Sequence, residues 1–143
     1  MEFSEKETAD LIPHKGKMRF IDRVLECDFE KTRVVTETKI KDDFLLLSDG
    51  AVPSYALFEF SAQSVAALLS ADAKEHGRKM NAGFILSVSA SGLLSKGMVP
   101  GQTVRVEAEK ESNVENVYSF DSRFFVDGES FGSAKITVME ANG

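Results

Sequence analysis

Val52-Pro53-Ser54-Tyr55-Ala56-Leu57-Phe58-Glu59-Phe60-Ser61-Ala62-Gln63-Ser64-Val65-Ala66-Ala67-Leu68-Leu69 decides the fold. It is an apolar run in which Glu59 and Gln63 stand four apart, so a helix would carry both on one face. The spacing predicts a helix over residues 54–76. Ser48-Asp49-Gly50 is a turn signal ahead of it, and Pro53 is tolerated where a helix begins. The run turns polar at Asp72, Lys74 and Glu75, and Gly77 is a stop signal. Before Ala71 the helix is apolar on nearly every side, so it must be covered on most sides.

Strands flank this helix. Before it, residues 22–28 and 33–40 read as strands, with β-branched Val24 in the first and Val34, Val35, Thr36, Thr38 and Ile40 in the second, separated by the polar turn Phe29-Glu30-Lys31-Thr32. A short leader precedes them. After Gly77 the period changes to two. Phe84-Ile85-Leu86-Ser87-Val88-Ser89 carries almost no charge, which suits a strand buried centrally or at an interface. Val104, Val106 and Ala108 alternate with Arg105, Glu107 and Glu109. Tyr118, Phe120, Ser122 and Phe124 alternate with polar residues, Asp127-Gly128 marks a hairpin, and Ala134, Ile136 and Val138 line the last strand. One long apolar helix among antiparallel strands implies an α+β layer in which the sheet wraps the helix. A single curved sheet does not easily cover such a helix alone, so a dimer is expected.

The chain has 143 residues, enough for one domain with a core, and its 43% hydrophobic and 28% charged composition is that of a globular protein. Its net charge of -6 does not suit nucleic-acid binding. A single cysteine, Cys27, excludes an internal disulfide and reads as a packing residue. The first residues lack a signal-peptide pattern, and Glu59, Gln63 and Pro53 argue against a membrane span. A cytoplasmic protein is expected.

Few residues are candidates for chemistry. A carboxyl set among Leu, Phe and Ala is costly to bury ionised, and a carboxyl held protonated can donate a proton to a leaving group. Glu59 is therefore either such an acid or a structural or solvent-facing carboxylate. Of the two histidines, His76 precedes Gly77 and suits the carbonyl-rich end of a helix. His14 lies in the loop Leu11-Ile12-Pro13-His14-Lys15-Gly16-Lys17-Met18. Neither has metal-ligand spacing with a second ligand, so no metal site is expected. No Gly-rich phosphate loop and no G-x-S-x-G elbow occur. Lys15, Lys17, Arg19 and Arg23 face a single local acid, Asp22, and form either a solvated loop or a docking patch for an acidic partner or phosphate.

Leu11-Ile12-Pro13-His14, followed by Met18-Arg19-Phe20-Ile21-Asp22-Arg23-Val24-Leu25-Glu26, resembles the first signature of the β-hydroxyacyl-(acyl carrier protein) dehydratases. Leu57-Phe58-Glu59-Phe60-Ser61-Ala62-Gln63 resembles their helix signature. The resemblance spans residues 10–139 and implies a hotdog fold over residues 1–143, a long central helix wrapped by an antiparallel sheet and paired into a dimer. It implies an acyl tunnel at the dimer interface, Glu59 as the acid that protonates the β-hydroxyl, a histidine as base, and Gln63 as support for the acid. The best-known members carry that histidine in a His-Phe-Pro-Gly loop about fifteen residues before the acid, whereas Phe44-Leu45-Leu46-Leu47-Ser48-Asp49-Gly50-Ala51-Val52-Pro53 has none. In this the chain is similar to the dehydratase-like subgroup of aryl-polyene and related polyketide-type pathways, where His14 is the substitute base.

The resemblance thus implies dehydration of a β-hydroxyacyl thioester on a phosphopantetheine-bearing acyl carrier protein, with no cofactor. His14 and Glu59 would be catalytic. Gln63, Gly50, Ala51 and Pro53 would bind substrate, a backbone N–H of Gly50 or Ala51 meeting the enolate oxygen. Two alternatives stand beside this: an acyl thioesterase in which Glu59 activates water, and a non-catalytic hotdog subunit that pairs with an active one.

Overall fold

Among the described residues, two α-helices and six strands follow in the order α1 (Glu5–Leu11), β1 (Arg23–Asp28), β2 (Arg33–Lys39), α2 (Leu57–Glu75), β3 (Gly83–Ser91), β4 (Thr103–Val114), β5 (Val117–Val126) and β6 (Glu129–Glu140). The computed structural model describes residues 1–78 and 83–140. Helix α2 is entered through one 3-10 turn, Ser54–Ala56, whose first hydrogen bond runs from Ala56 N–H to the Pro53 carbonyl. It ends where Gly77 adopts φ +68, which a residue with a Cβ adopts only under strain. There Gly77 N–H reaches the Lys74 carbonyl and Arg78 N–H the Ala73 carbonyl, closing the last turn as a Schellman motif. His76 Nδ1 donates to the Asp72 carbonyl at 2.8 Å, the structural role its position suggested.

The strands form one antiparallel sheet in the order β1-β2-β4-β5-β6-β3. Its inner face carries Val34, Val104, Val106, Phe120, Phe124 and Ile136, all buried with Leu57, Phe60, Val65 and Leu68 of α2 in one core. Burying each such side chain contributes about 1.5–3 kcal/mol. Two hydroxyl pairs fasten the helix to this face: Ser64 Oγ meets Thr36 Oγ1 of β2 at 2.8 Å, and Ser61 Oγ meets Ser122 Oγ of β5. All four residues are buried; Ser64 Oγ already donates to the Phe60 carbonyl at 2.7 Å and so accepts from Thr36, while Ser61 and Ser122 depend on each other. The sheet therefore wraps the helix, as the resemblance implies.

Two expectations change. The leader is a helix, because Ser4 and Glu7 form a capping box: Ser4 Oγ accepts from Glu7 N–H and the Glu7 carboxylate accepts from Ser4 N–H. That hydrogen bonding holds the Glu7 carboxyl below its ordinary pKa. Strand β3 is an edge strand, which removes the central-strand reading of residues 84–89 and leaves the interface one. The side chains of Phe84, Ile85 and Leu86 lie outside the described residues. At the opposite edge, Phe3 N–H bonds the Val24 carbonyl and Cys27 N–H the Met1 carbonyl, so residues 1–3 cover part of β1. Strand β3 has no such cover among the described residues.

Candidate active site

Gln63 is the centre from which the site is built. It is buried on α2, and its amide is shared among three groups. Its Oε1 accepts from Phe20 N–H at 2.7 Å, while Nε2 donates to the Met18 carbonyl at 2.8 Å and to Glu59 Oε1 at 3.0 Å. The first two bonds clamp the loop before β1 onto the helix. The third orients the Glu59 carboxylate from the next helical turn.

That clamp brings His14 over the start of α2. Its Nε2 lies 3.4 Å from Glu59 Oε1, and the two side chains keep 36% and 37% of their surface exposed. The imidazole and the carboxylate are thus in mutual contact, held from the protein side, and still open to a substrate. The other ring nitrogen, Nδ1, is buried with no hydrogen-bond partner among the described residues. Beneath them Phe20 packs on Phe44 at 4.8 Å and on Phe60 at 5.5 Å between ring centroids. The Phe44 contact also ties the loop ahead of α2 to the same spot.

That loop ends in a tight reversal at Asp49 (φ +52) and Gly50 (φ +81), closed by mutual hydrogen bonds between Ser48 and Ala51. The Ala51 N–H is therefore committed to the Ser48 carbonyl at 3.1 Å and is not free to meet an enolate oxygen. Of the two donors expected there, the Gly50 N–H alone makes no hydrogen bond among the described residues. Val52 is held to Met98 by a two-way backbone bridge, and Pro53 carries the chain into the helix. Gly97 must lie against this segment, since a Cβ there would come 2.9 Å from Ala51 Cβ.

The basic loop is partly structural. Lys15 Nζ donates to the Ala9 and Ile12 carbonyls at the end of α1, and Arg19 reaches the Glu5 carbonyl. Lys17 stays exposed and without a partner among the described residues, beside Met18, which is 55% exposed. Cys27 is buried far along β1, and burial pushes its thiol up to about 11. A stripe of half-buried apolar residues, Phe58, Ala62, Ala66 and Leu69, runs from beside Glu59 down the less covered side of α2. No helix among the described residues is long and apolar enough to cross a membrane.

A family model of ApeP-like dehydratases matches residues 6–143. The 3-hydroxyacyl-[acyl-carrier-protein] dehydratase FabZ of Rickettsia akari is 30% identical over 139 residues, covering 93% of this chain and 92% of that protein. Among solved structures, the dehydratase heterocomplex ApeI:P from Xenorhabdus doucetiae superposes with a TM-score of 0.85 at 16% identity, over 94% of this chain and 91% of that one. A hypothetical thioesterase protein with coenzyme A from Streptococcus pneumoniae superposes with a TM-score of 0.61 at 17% identity, over 83% and 84%. At these identities the two structures speak for the fold alone. With the family model spanning nearly its whole length, the chain belongs to the ApeP-like dehydratase family and has the hotdog fold.

Proposed function

We propose that this chain dehydrates a β-hydroxyacyl thioester carried on an acyl carrier protein, with His14 and Glu59 as the acid–base pair. The observation that supports it is the apposition of His14 Nε2 and Glu59 Oε1 at 3.4 Å, with both side chains still partly open. The thioester carbonyl acidifies the α-carbon. His14 takes an α-proton, the C–H electron pair becomes the new C=C bond, and the β C–O bond breaks. Glu59 supplies the proton with which hydroxide leaves as water. The site ends one proton richer on His14 and one poorer on Glu59, and their contact lets that proton return directly. The Gly50 N–H is the donor proposed for the enolate oxygen, and Pro53 and Ala51 hold the segment that presents it.

The half-buried stripe along α2 is the proposed path of the acyl chain, closed into a tunnel by a second hotdog subunit across the edge strand β3. That subunit is a second copy or a related hotdog chain. Lys17 and its basic neighbours suit the acidic carrier with its phosphopantetheine arm, and the proposed setting is the cytoplasm. Incubation with a β-hydroxyacyl carrier-protein thioester tests the reaction by mass. Loss of one water with the thioester intact supports dehydration. Release of free carrier thiol would instead assign thioester hydrolysis, and no turnover at any chain length would favour a non-catalytic subunit.

The unpartnered Nδ1 of His14 favours a second reading of the roles. A base at Nε2 needs the ring proton on Nδ1, and no acceptor among the described residues holds it there. With the proton on Nε2 instead, that nitrogen faces Glu59 Oε1 at 3.4 Å as an N–H, and the carboxylate alone carries the proton from the α-carbon to the hydroxyl. His14→Gln, which keeps a donor but not a base, separates the two. It loses activity on the first reading and retains much of it on the second.

A further inference from the structure

We infer that the acid–base pair is closed within one chain, so that each copy of this protein brings a complete catalytic pair to whatever assembly it joins. The inference rests on the dehydratase reading and adds where its two residues come from. The loop that carries His14 is tied within its own chain. Next to His14, Lys15 Nζ holds the carbonyls of Ala9 and Ile12 at the end of α1. A few residues further on, the Met18 carbonyl and the Phe20 N–H are both taken by Gln63 of α2, the helix that bears Glu59. Gln63 is buried, and its same Nε2 also holds Glu59 Oε1. One amide therefore fixes the position of the carboxylate and of the loop that brings the imidazole to it.

Moving His14 onto the Glu59 of another copy would require releasing this clamp. It would strand the buried Phe20 N–H and Gln63 amide and release the Met18 carbonyl. A partner subunit across β3 then has a different task. It covers the apolar stripe at Phe58, Ala62, Ala66 and Leu69, and contributes no proton-transfer group. In a mixed dimer with an unlike hotdog chain, each copy of this chain supplies one site, independent of what the partner brings.

The test uses two inactive chains with different affinity tags, His14→Ala and Glu59→Gln, co-expressed and purified through both tags so that only mixed assemblies remain. Closure within one chain predicts that the mixed assembly is no more active than the two variants alone. Recovery to about half the wild-type rate would overturn the inference, because a pair shared between chains leaves one of two sites intact. If the single variants keep wild-type activity, the dehydratase roles fail instead, a separate outcome. A second measurement covers chains that do not form mixed assemblies. Cysteines placed by His14→Cys and Glu59→Cys, in a Cys27→Ala background, are bridged with a short bismaleimide. A bridged monomer on a denaturing gel supports the inference. A covalent dimer overturns it, and so does failure to bridge when both thiols accept a monofunctional maleimide.

Discussion

The backbone N–H of Phe20 and the side-chain Oε1 of Gln63 are joined by a 2.7 Å hydrogen bond across 43 positions of sequence. Through it the loop that bears His14 is referred to the helix that bears Glu59. Gln63→Ala removes the clamp and leaves the buried Phe20 N–H unpaired, so stability falls by about 1–3 kcal/mol for each buried group stranded. Urea unfolding reads the loss. Wild-type stability in Gln63→Ala would mean that the loop is held by something other than this amide.

The helix is fastened to the sheet by hydroxyls as well as by packing. Ser61→Ala strands the buried Ser122 hydroxyl, and Ser122→Ala strands that of Ser61. Each single change lowers stability by about 1–3 kcal/mol. The double variant costs less than the sum, since neither hydroxyl is then left alone. A strictly additive double-mutant cycle would deny the coupling.

Gly132 sits at φ +109 in β6, and a Cβ there would run into the Gly92 carbonyl oxygen. Backbone, not a flexible side chain, stands in the way. Gly132→Ala combines this clash with a conformation L side chains avoid, and is expected to lower the melting temperature more than Gly128→Ala, whose site is open. Equal melting temperatures for the two variants would count against the close approach.

Cys27 supplies a pH dependence. Burial raises its folded pKa from 9.0 to about 11, so the thiolate is better tolerated in the unfolded chain than in the folded one. Its contribution to stability is full below pH 9, declines as pH rises, and is lost on passing about 11. Cys27→Ala should flatten this alkaline limb, and iodoacetamide at pH 8 should label the native thiol only after unfolding. Rapid labelling of the native chain would show the thiol to be open to solvent.

Much of this architecture was legible in residues taken one element at a time. The apolar run with its stop at Gly77 gave α2, and period-two alternation on either side of Asp127-Gly128 gave β5 and β6. The Ser4–Glu7 spacing is the sequence signal for α1, but a weak one, because only two apolar residues, Ala9 and Leu11, follow within the helix. The pairing of Ser61 and Ser64 with Ser122 and Thr36 lay beyond periodicity. Small polar residues inside an apolar helix hinted at it, but their partners sit on strands whose register only the folded sheet defines. Glu59 and Gln63 shared a face by spacing alone. The nearness of His14 to Glu59 did not follow from spacing, because it depends on a loop whose path is set by the Gln63 clamp.

The most direct test of the account is the rate at which wild type, Glu59→Gln and His76→Ala convert a β-hydroxyacyl carrier-protein thioester to its unsaturated product. Glu59→Gln preserves shape and removes the proton, and is expected to lose roughly 10²–10⁴-fold in rate. His76→Ala, at the far end of α2, is expected to keep the wild-type rate. A Glu59→Gln chain that dehydrates as fast as wild type would contradict the account.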